Sequence, residues 1–189
     1  MILPVAVYGH PVLRKVAKVI SKDDPDIKNL IKDLWSTMYR TDGIGLAAPQ
    51  VAKSVRVFVI DADVYKDEFP ELKGFRQAFI NPQLKVLSDK KVWMNEGCIS
   101  VPTVNKQVKR PDRIELSYQD EEMNCHIEVF EGMAARIIQH EYDHLEGKLF
   151  IDYLNPLSRL FLNKKLKSIS SGKVNIGYKI IDNKSVERV

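Results

Sequence analysis

The segment Gln139-His140-Glu141-Tyr142-Asp143-His144 places two imidazoles four positions apart with a carboxylate between them. Four helical steps turn a side chain by roughly 40° net, so on a helix His140 and His144 share one face and can grip one metal ion. Glu141 then stands beside that ion, level with a water on it, and is placed to move a proton. Metal-assisted hydrolysis is the chemistry this spacing suits. A catalytic metal keeps three protein ligands and one open position, so a third ligand is required. His10 lies in a proline-flanked loop and His126 in an expected hairpin, and neither has a supporting pattern. Asp152 is the downstream carboxylate a zincin-like protease would recruit, but it follows the helix stop at Gly147 and is expected to point away from the ligand face. Cys98 is the better candidate. It ends an extended run in Glu96-Gly97-Cys98-Ile99-Ser100, where Gly97 lets the backbone approach closely. A thiolate there suits iron(II), zinc, nickel or cobalt better than magnesium or calcium. Taken by itself a strand cysteine is more often an inert core thiol, and Cys125 takes that reading in full.

These residues need elements to hold them. Residues 132–146 read as a helix stopped by Gly147. Residues 25–40 read as an earlier helix, with Ile27, Leu30, Ile31, Leu34 and Met38 at helical spacing. Residues 43–50 read as a glycine- and alanine-rich loop, 55–60 as a strand and 61–74 as a polar surface excursion. Residues 75–87 and 91–98 look extended, interrupted by Asn81-Pro82 and by a turn at Ser88-Asp89. Alternation over 113–118 and 126–130, with Glu121-Glu122 between, predicts a hairpin. A third helix is expected over 156–167. After Ser170-Ser171-Gly172 the chain reads as loose, with 174–181 able to add a short strand. The order of helix, strands, helix, helix argues an α+β single domain, with antiparallel or mixed sheets packed around the central helix that carries H-E-x-x-H.

A chain of 189 residues can bury one substantial core. It shows no membrane-length apolar run and no signal core, so a cytoplasmic location is expected, and a reducing compartment disfavours the disulfide that Cys98 and Cys125 could form on count alone. The net charge of +4 is uneven. Residues 156–189 hold eight basic and two acidic side chains, leaving residues 1–155 net acidic. A basic segment of that kind can follow a phosphate backbone, and it also suits a solvated helix face.

Gly43-Ile44-Gly45-Leu46-Ala47-Ala48-Pro49-Gln50, Glu96-Gly97-Cys98-Ile99-Ser100 and the H-E-x-x-H segment together resemble the three motifs of the peptide deformylases, in the family's order and approximate spacing. Residues 11–15 and 147–152 resemble the family as well, so the likeness covers roughly residues 4–155. It departs at Ala52 and Thr103, where the family commonly has glycine, and at Ile99, where leucine is usual. The resemblance implies a catalytic region over 1–155, followed in the same domain by a variable basic helix and tail over 156–189. It implies Cys98, His140 and His144 as ligands of one iron(II), for which zinc, nickel or cobalt can substitute. It further implies Glu141 as general base and acid, and Gln50 with the backbone N–H of Ile99 as oxyanion donors. Losing one such donor typically costs about 3 kcal/mol of barrier. The substrate would be the N-formylmethionine end of a nascent polypeptide, with formate released. Gly43, Ile44 and Gly45 would offer backbone to it as an added strand. Glu96, Gly97 and Ile137, with Met133 and Arg136, would contribute to the methionine pocket, although Ile137 and Met133 also suit plain core packing. No role follows for Gln139.

Other readings remain at this level. A zincin-like endopeptidase would use the same helix without Cys98. A catalytically idle, ribosome-associated binding protein would keep the fold, and the intact Glu141 and Gln50 argue against it. Contact of the basic tail with ribosomal RNA is a further expectation. Gly43 to Ala48 also fits a dinucleotide-binding G-x-G-x-x-A, but a helix precedes it and Pro49 leaves no space for a helix after it.

Overall fold

Helix α1 (Ile27–Arg40) buries Ile27, Ile31, Leu34, Trp35 and Met38, one face of a 3.6-residue repeat, in the computed structural model of this chain. The structure describes residues 1–182. The α1 face packs on strands β2 (Gly45–Ala47), β3 (Val57–Asp61) and β4 (Arg76–Val86) through Leu46, Val57, Val59, Ala78 and Ile80. Those strands continue through β7 (Arg113–Gln119) to β8 (Cys125–Glu131) as a five-stranded antiparallel sheet in the order β2-β3-β4-β7-β8. A separate hairpin joins β5 (Lys91–Cys98) to β6 (Val101–Pro111). Strand β1 (Val5–Ala6) pairs in parallel with β9 (Ile180–Ile181). The fold is α+β.

Helix α2 (Gly132–Leu145) is central. Ala134, Ala135, Ile137, Ile138 and Leu145 pack with Phe58, Ile60, Phe79, Ile114 and Leu116 of the five-stranded sheet. Gly147 ends the helix at φ +68°, and a Cβ there would stand 2.8 Å from the Arg14 carbonyl, so both conformation and space demand glycine. Helix α3 (Pro156–Ser170) starts at Asn155, whose side chain accepts from Ser158 N. It buries Leu162, Leu166 and Ile169 against Val101, Val104 and Val108 of β6. Among the described residues no helix is long and apolar enough to cross a membrane.

Several expectations change. The glycine-rich stretch is not a plain loop, because residues 45–47 form β2 and a 3-10 turn follows over Ala48–Val51. β4 runs through Asn81-Pro82 rather than stopping there. Asn81 adopts φ +51°, its side chain pairs with both backbone groups of Ile20, and the register shifts between Ile80 and Gln83, as a bulge that absorbs a proline requires. Residues 61–74 are not merely surface, since Ala62 and Leu72 are fully buried. Cys125 is exposed rather than a core thiol. β6 was not foreseen.

Ala52 and Thr103, the two positions where the resemblance leads one to expect glycine, both lie at positive φ, +62° and +63°. Left-handed backbone costs an L-residue about 1–2 kcal/mol, and the β-branched Thr103 is the more strained of the two. Thr103→Gly should therefore stabilise the protein by about 1 kcal/mol and raise its melting temperature by roughly 2–4 °C in calorimetry.

Candidate metal centre and active-site cleft

His140 and His144 project from α2 toward the end of β5, where Cys98 closes the hairpin. One ligand atom from each of the three residues lies within 4.8 Å of the others. Cys98 Sγ is 3.3 Å from His144 Nε2, close to the ligand–ligand edge of a tetrahedral site with Zn–S near 2.3 Å and Zn–N near 2.0 Å. A sulfur and two imidazoles form a donor set that fits a borderline or soft divalent ion such as iron(II) or zinc. The spacing of the H-E-x-x-H segment explains the two histidines. The hairpin explains the cysteine: its register shifts between Gly97 and Cys98, and Cys98 pairs with Val101 across a two-residue turn, Ile99-Ser100. That turn sets the sulfur beside the helix.

A buried ionic cluster orients the first imidazole. Glu96 Oε2 accepts from His140 Nδ1 at 2.9 Å, which leaves Nε2 free as a ligand atom. Arg110 grips the same carboxylate with Nε at 2.7 Å and a terminal nitrogen at 3.0 Å, and Arg136 donates to it at 2.6 Å. Arg110 also donates to Asp143 at 2.6 Å, and Tyr153 donates its hydroxyl to Asp143 at 2.9 Å. Glu96, Arg110 and Arg136 are each at most 6% exposed. Burial alone would raise the Glu96 pKa, but the hydrogen bonds from His140 and Arg110 hold it well below the usual carboxylate range.

Glu141 is buried, and burial pushes it up to about 7 against the lowering effect of His140. Its Oε2 and His144 Nδ1 are buried side-chain atoms without a hydrogen-bond partner among the described residues. Gly45 makes room for this carboxylate: a Cβ at position 45 would stand 2.5 Å from Glu141 Oε1. Gln50 is 2% exposed. Its Oε1 accepts from Ala47 N at 2.8 Å, which turns Nε2 toward Cys98 Sγ and Ser100 Oγ, each at 3.4 Å.

A cleft of about 870 Å³ opens over these groups. Every residue given a site role from the sequence except His144 lines it: Gly43, Ile44, Gly45, Gln50, Glu96, Gly97, Cys98, Ile99, Ile137, His140 and Glu141. Met133 and Arg136 do too. Glu96 reaches the cleft from within the ion cluster, its oxygens already occupied. Gln139 does not line the cleft, and its amide caps the carbonyls of Pro111 and Ala135. His10 and His126 stand elsewhere, His10 accepting from Val12 N and His126 paired with Asp120. Arg110 and Asp143 were missed. The alternation Val104, Lys106, Val108, Arg110 was the available signal for β6, and a buried arginine is not legible from alternation alone. Tyr65, Glu68 and Phe69 of the supposed surface excursion, and Ile176 and Tyr178 of the supposed loose tail, were also missed as lining residues.

The polypeptide deformylase family profile matches residues 2–160. A peptide deformylase of Christiangramia forsetii is 46% identical over 187 residues, covering 95% of each chain. The crystal structure of peptide deformylase from Thermotoga maritima superposes with a TM-score of 0.74 at 39% identity, covering 82% of this chain and 99% of that one. A Met-Ala-Ser-bound class I type b peptide deformylase from Acinetobacter baumannii superposes with a TM-score of 0.73 at 31% identity, covering 82% and 99%.

Glu96→Gln removes the charge that Arg110 and Arg136 share and weakens the hold on His140. Nickel or zinc titration should show affinity lowered by roughly 10- to 100-fold. Denaturant unfolding should show a loss of about 3–5 kcal/mol, because buried Arg136 loses its carboxylate partner and buried Arg110 keeps only Asp143. Unchanged metal affinity would mean that His140 is oriented without Glu96.

Proposed function

This chain belongs to the polypeptide deformylase family, and from that premise we propose how its cleft removes the N-formyl group from the N-terminal formylmethionine of a nascent polypeptide and releases formate. The observation that carries the reading is a buried Glu141 oxygen with no hydrogen-bond partner among the described residues, beside a cysteine sulfur and two imidazoles that can share one ion. Cys98, His140 and His144 hold the metal, and we take iron(II) as the native ion. When bound, the ion supplies Lewis acidity toward water and toward the formyl oxygen.

The protein's own groups do the rest. Glu141, raised to about 7, takes a proton from the attacking water near neutral pH and returns it to the leaving amine. The Gln50 amide, held by Ala47 N, and the Ile99 N–H, presented by the hairpin turn, stabilise the charge that develops on the formyl oxygen. Gly43, Ile44 and Gly45 offer backbone to an extended peptide beside edge strand β2, and Gly97 lets the opposite strand approach. Met133 and Ile137 supply apolar wall for the methionine side chain. Glu96 contributes by orienting His140 and Arg136 rather than by touching substrate.

Residues 156–182 extend the catalytic region 1–155 within one domain, a reading supported by the burial of Leu162, Leu166 and Ile169 beside β6, and the expected tail over 183–189 lies outside the described residues. Exposed Lys164, Lys165 and Lys167 on α3 favour contact of this basic segment with ribosomal RNA. A cytoplasmic location fits that setting.

Formate release from a formylmethionyl peptide tests the reading. Glu141→Ala should lower kcat by roughly 100- to 10,000-fold and keep the metal. Cys98→Ser should lose the metal, whereas a zincin-like protease would keep it. No formate from iron-loaded protein protected from oxygen would overturn the assignment. A second prediction concerns air: iron-loaded protein should lose activity in aerated buffer while nickel-loaded protein keeps it, because thiolate and iron(II) are both oxidisable. Equal lifetimes would refute the expected oxygen sensitivity of the iron form.

A further inference from the structure

Residues 173–181 have no part in the scheme above, yet they alternate with a two-residue period. Val174, Ile176, Tyr178 and Ile180 are half-buried, and Lys173, Asn175, Gly177 and Lys179 between them are exposed. The outer two inward residues, Val174 and Ile180, pack against the cluster that α3 forms with β6. The inner two, Ile176 and Tyr178, line the active-site cleft. Backbone bonds from Val5 N to Lys179 O at 2.9 Å and from Val7 N to Ile181 O at 3.1 Å tie the segment to β1. It is a strap anchored in the core at both ends, with its middle facing the cleft.

The hydroxyl of Tyr178 donates to the Ile99 carbonyl at 2.8 Å. The next carbonyl, that of Ser100, accepts from Tyr8 N at 2.7 Å. Both carbonyls of the turn that follows Cys98 are thus held by flanks of the β1–β9 pair. These bonds hold the Ile99–Ser100 and Ser100–Val101 peptide planes, and the Ile99 N–H lies in the adjoining Cys98–Ile99 plane, hinged to them at the Ile99 Cα. An oxyanion donor contributes only as far as it is already aimed.

We propose that residues 173–181 complete the deformylase cleft. In this arrangement Tyr178 is a positioning residue: it fixes the Ile99–Ser100 plane, so that only rotation about the Ile99 Cα is left to move the adjoining plane, whose N–H faces the developing oxyanion. Ile176 contacts the substrate residues that follow the formylmethionine. The inference rests on the assignment of Ile99 made under the proposed function. Tyr178 acts through the backbone and touches no reacting atom, so its loss belongs in kcat. Ile176 is an apolar wall, so its loss belongs in the KM of longer substrates.

The test uses nickel-loaded full-length protein with formyl-Met amide and formyl-Met-Ala-Ser as probes. Tyr178→Phe keeps the ring and removes the bond to Ile99. It should lower kcat on both probes by roughly 10-fold, less than the roughly 100- to 1,000-fold of deleting a donor outright, with KM and nickel stoichiometry retained. Ile176→Ala should raise KM several-fold for the tripeptide and less for the amide. A wild-type kcat in Tyr178→Phe, or a fall that tracks nickel loss or melting temperature, overturns the positioning role. An equal KM change on the two probes overturns the contact assigned to Ile176. Wild-type protein releasing no formate overturns the deformylase reading itself, and this inference with it.

Discussion

Burial of the Glu96 carboxylate constrains everything around it. A lone carboxylate in that position would be untenable, so Arg110 and Arg136 must be buried with it, and Arg110 in turn brings Asp143 and Tyr153. The cluster joins strands β5 and β6 to helix α2, the two parts that must meet for a cysteine and two histidines to share one ion. Such clusters add little net stability compared with apolar packing. What this one adds is registry: the hairpin and helix can dock in only one relative position if each charge is to be satisfied, and in that position His140 presents Nε2 to Cys98.

Close approach is the second constraint. The cleft is shaped by residues that lack a side chain as much as by those that have one. Gly45 sits against Glu141 so tightly that a methyl would displace the carboxylate, and Gly97 faces Asn105 across the hairpin with no space for one. Backbone can therefore line both sides of the cleft, which suits a substrate recognised as an extended chain whose side chains vary beyond the first residue.

The sequence made the chemical centre unusually legible. H-E-x-x-H brings together two candidate ligands and a candidate base in five residues, and the cysteine and glutamine stand in short motifs of their own. The helices were read to within two or three residues because their apolar periodicity and caps are local. What escaped was non-local. β6 gives a weak alternation in which lysine and arginine share the inward face, and the inward arginine makes sense only once Glu96 and Asp143 are known to be near. The strap over 173–181 was read as loose chain or a short strand, since its partner β1 lies at the far end of the described chain. Asn81-Pro82 looked like an interruption because local rules cannot see that a neighbouring backbone, at Ile20, fills the bonds a proline leaves open.

The pairing of β1 with β9 also has a temporal side. Val5 and Ala6 emerge early in translation, and Ile180 and Ile181 emerge long after them. Contacts between such distant segments close slowly and late. A ribosome-bound copy of this very protein, still being extended, would possess Cys98, His140, Glu141 and His144 before it possessed the lining that Ile176 and Tyr178 supply. Closure of the cleft wall therefore has to follow the emergence of residues 180 and 181.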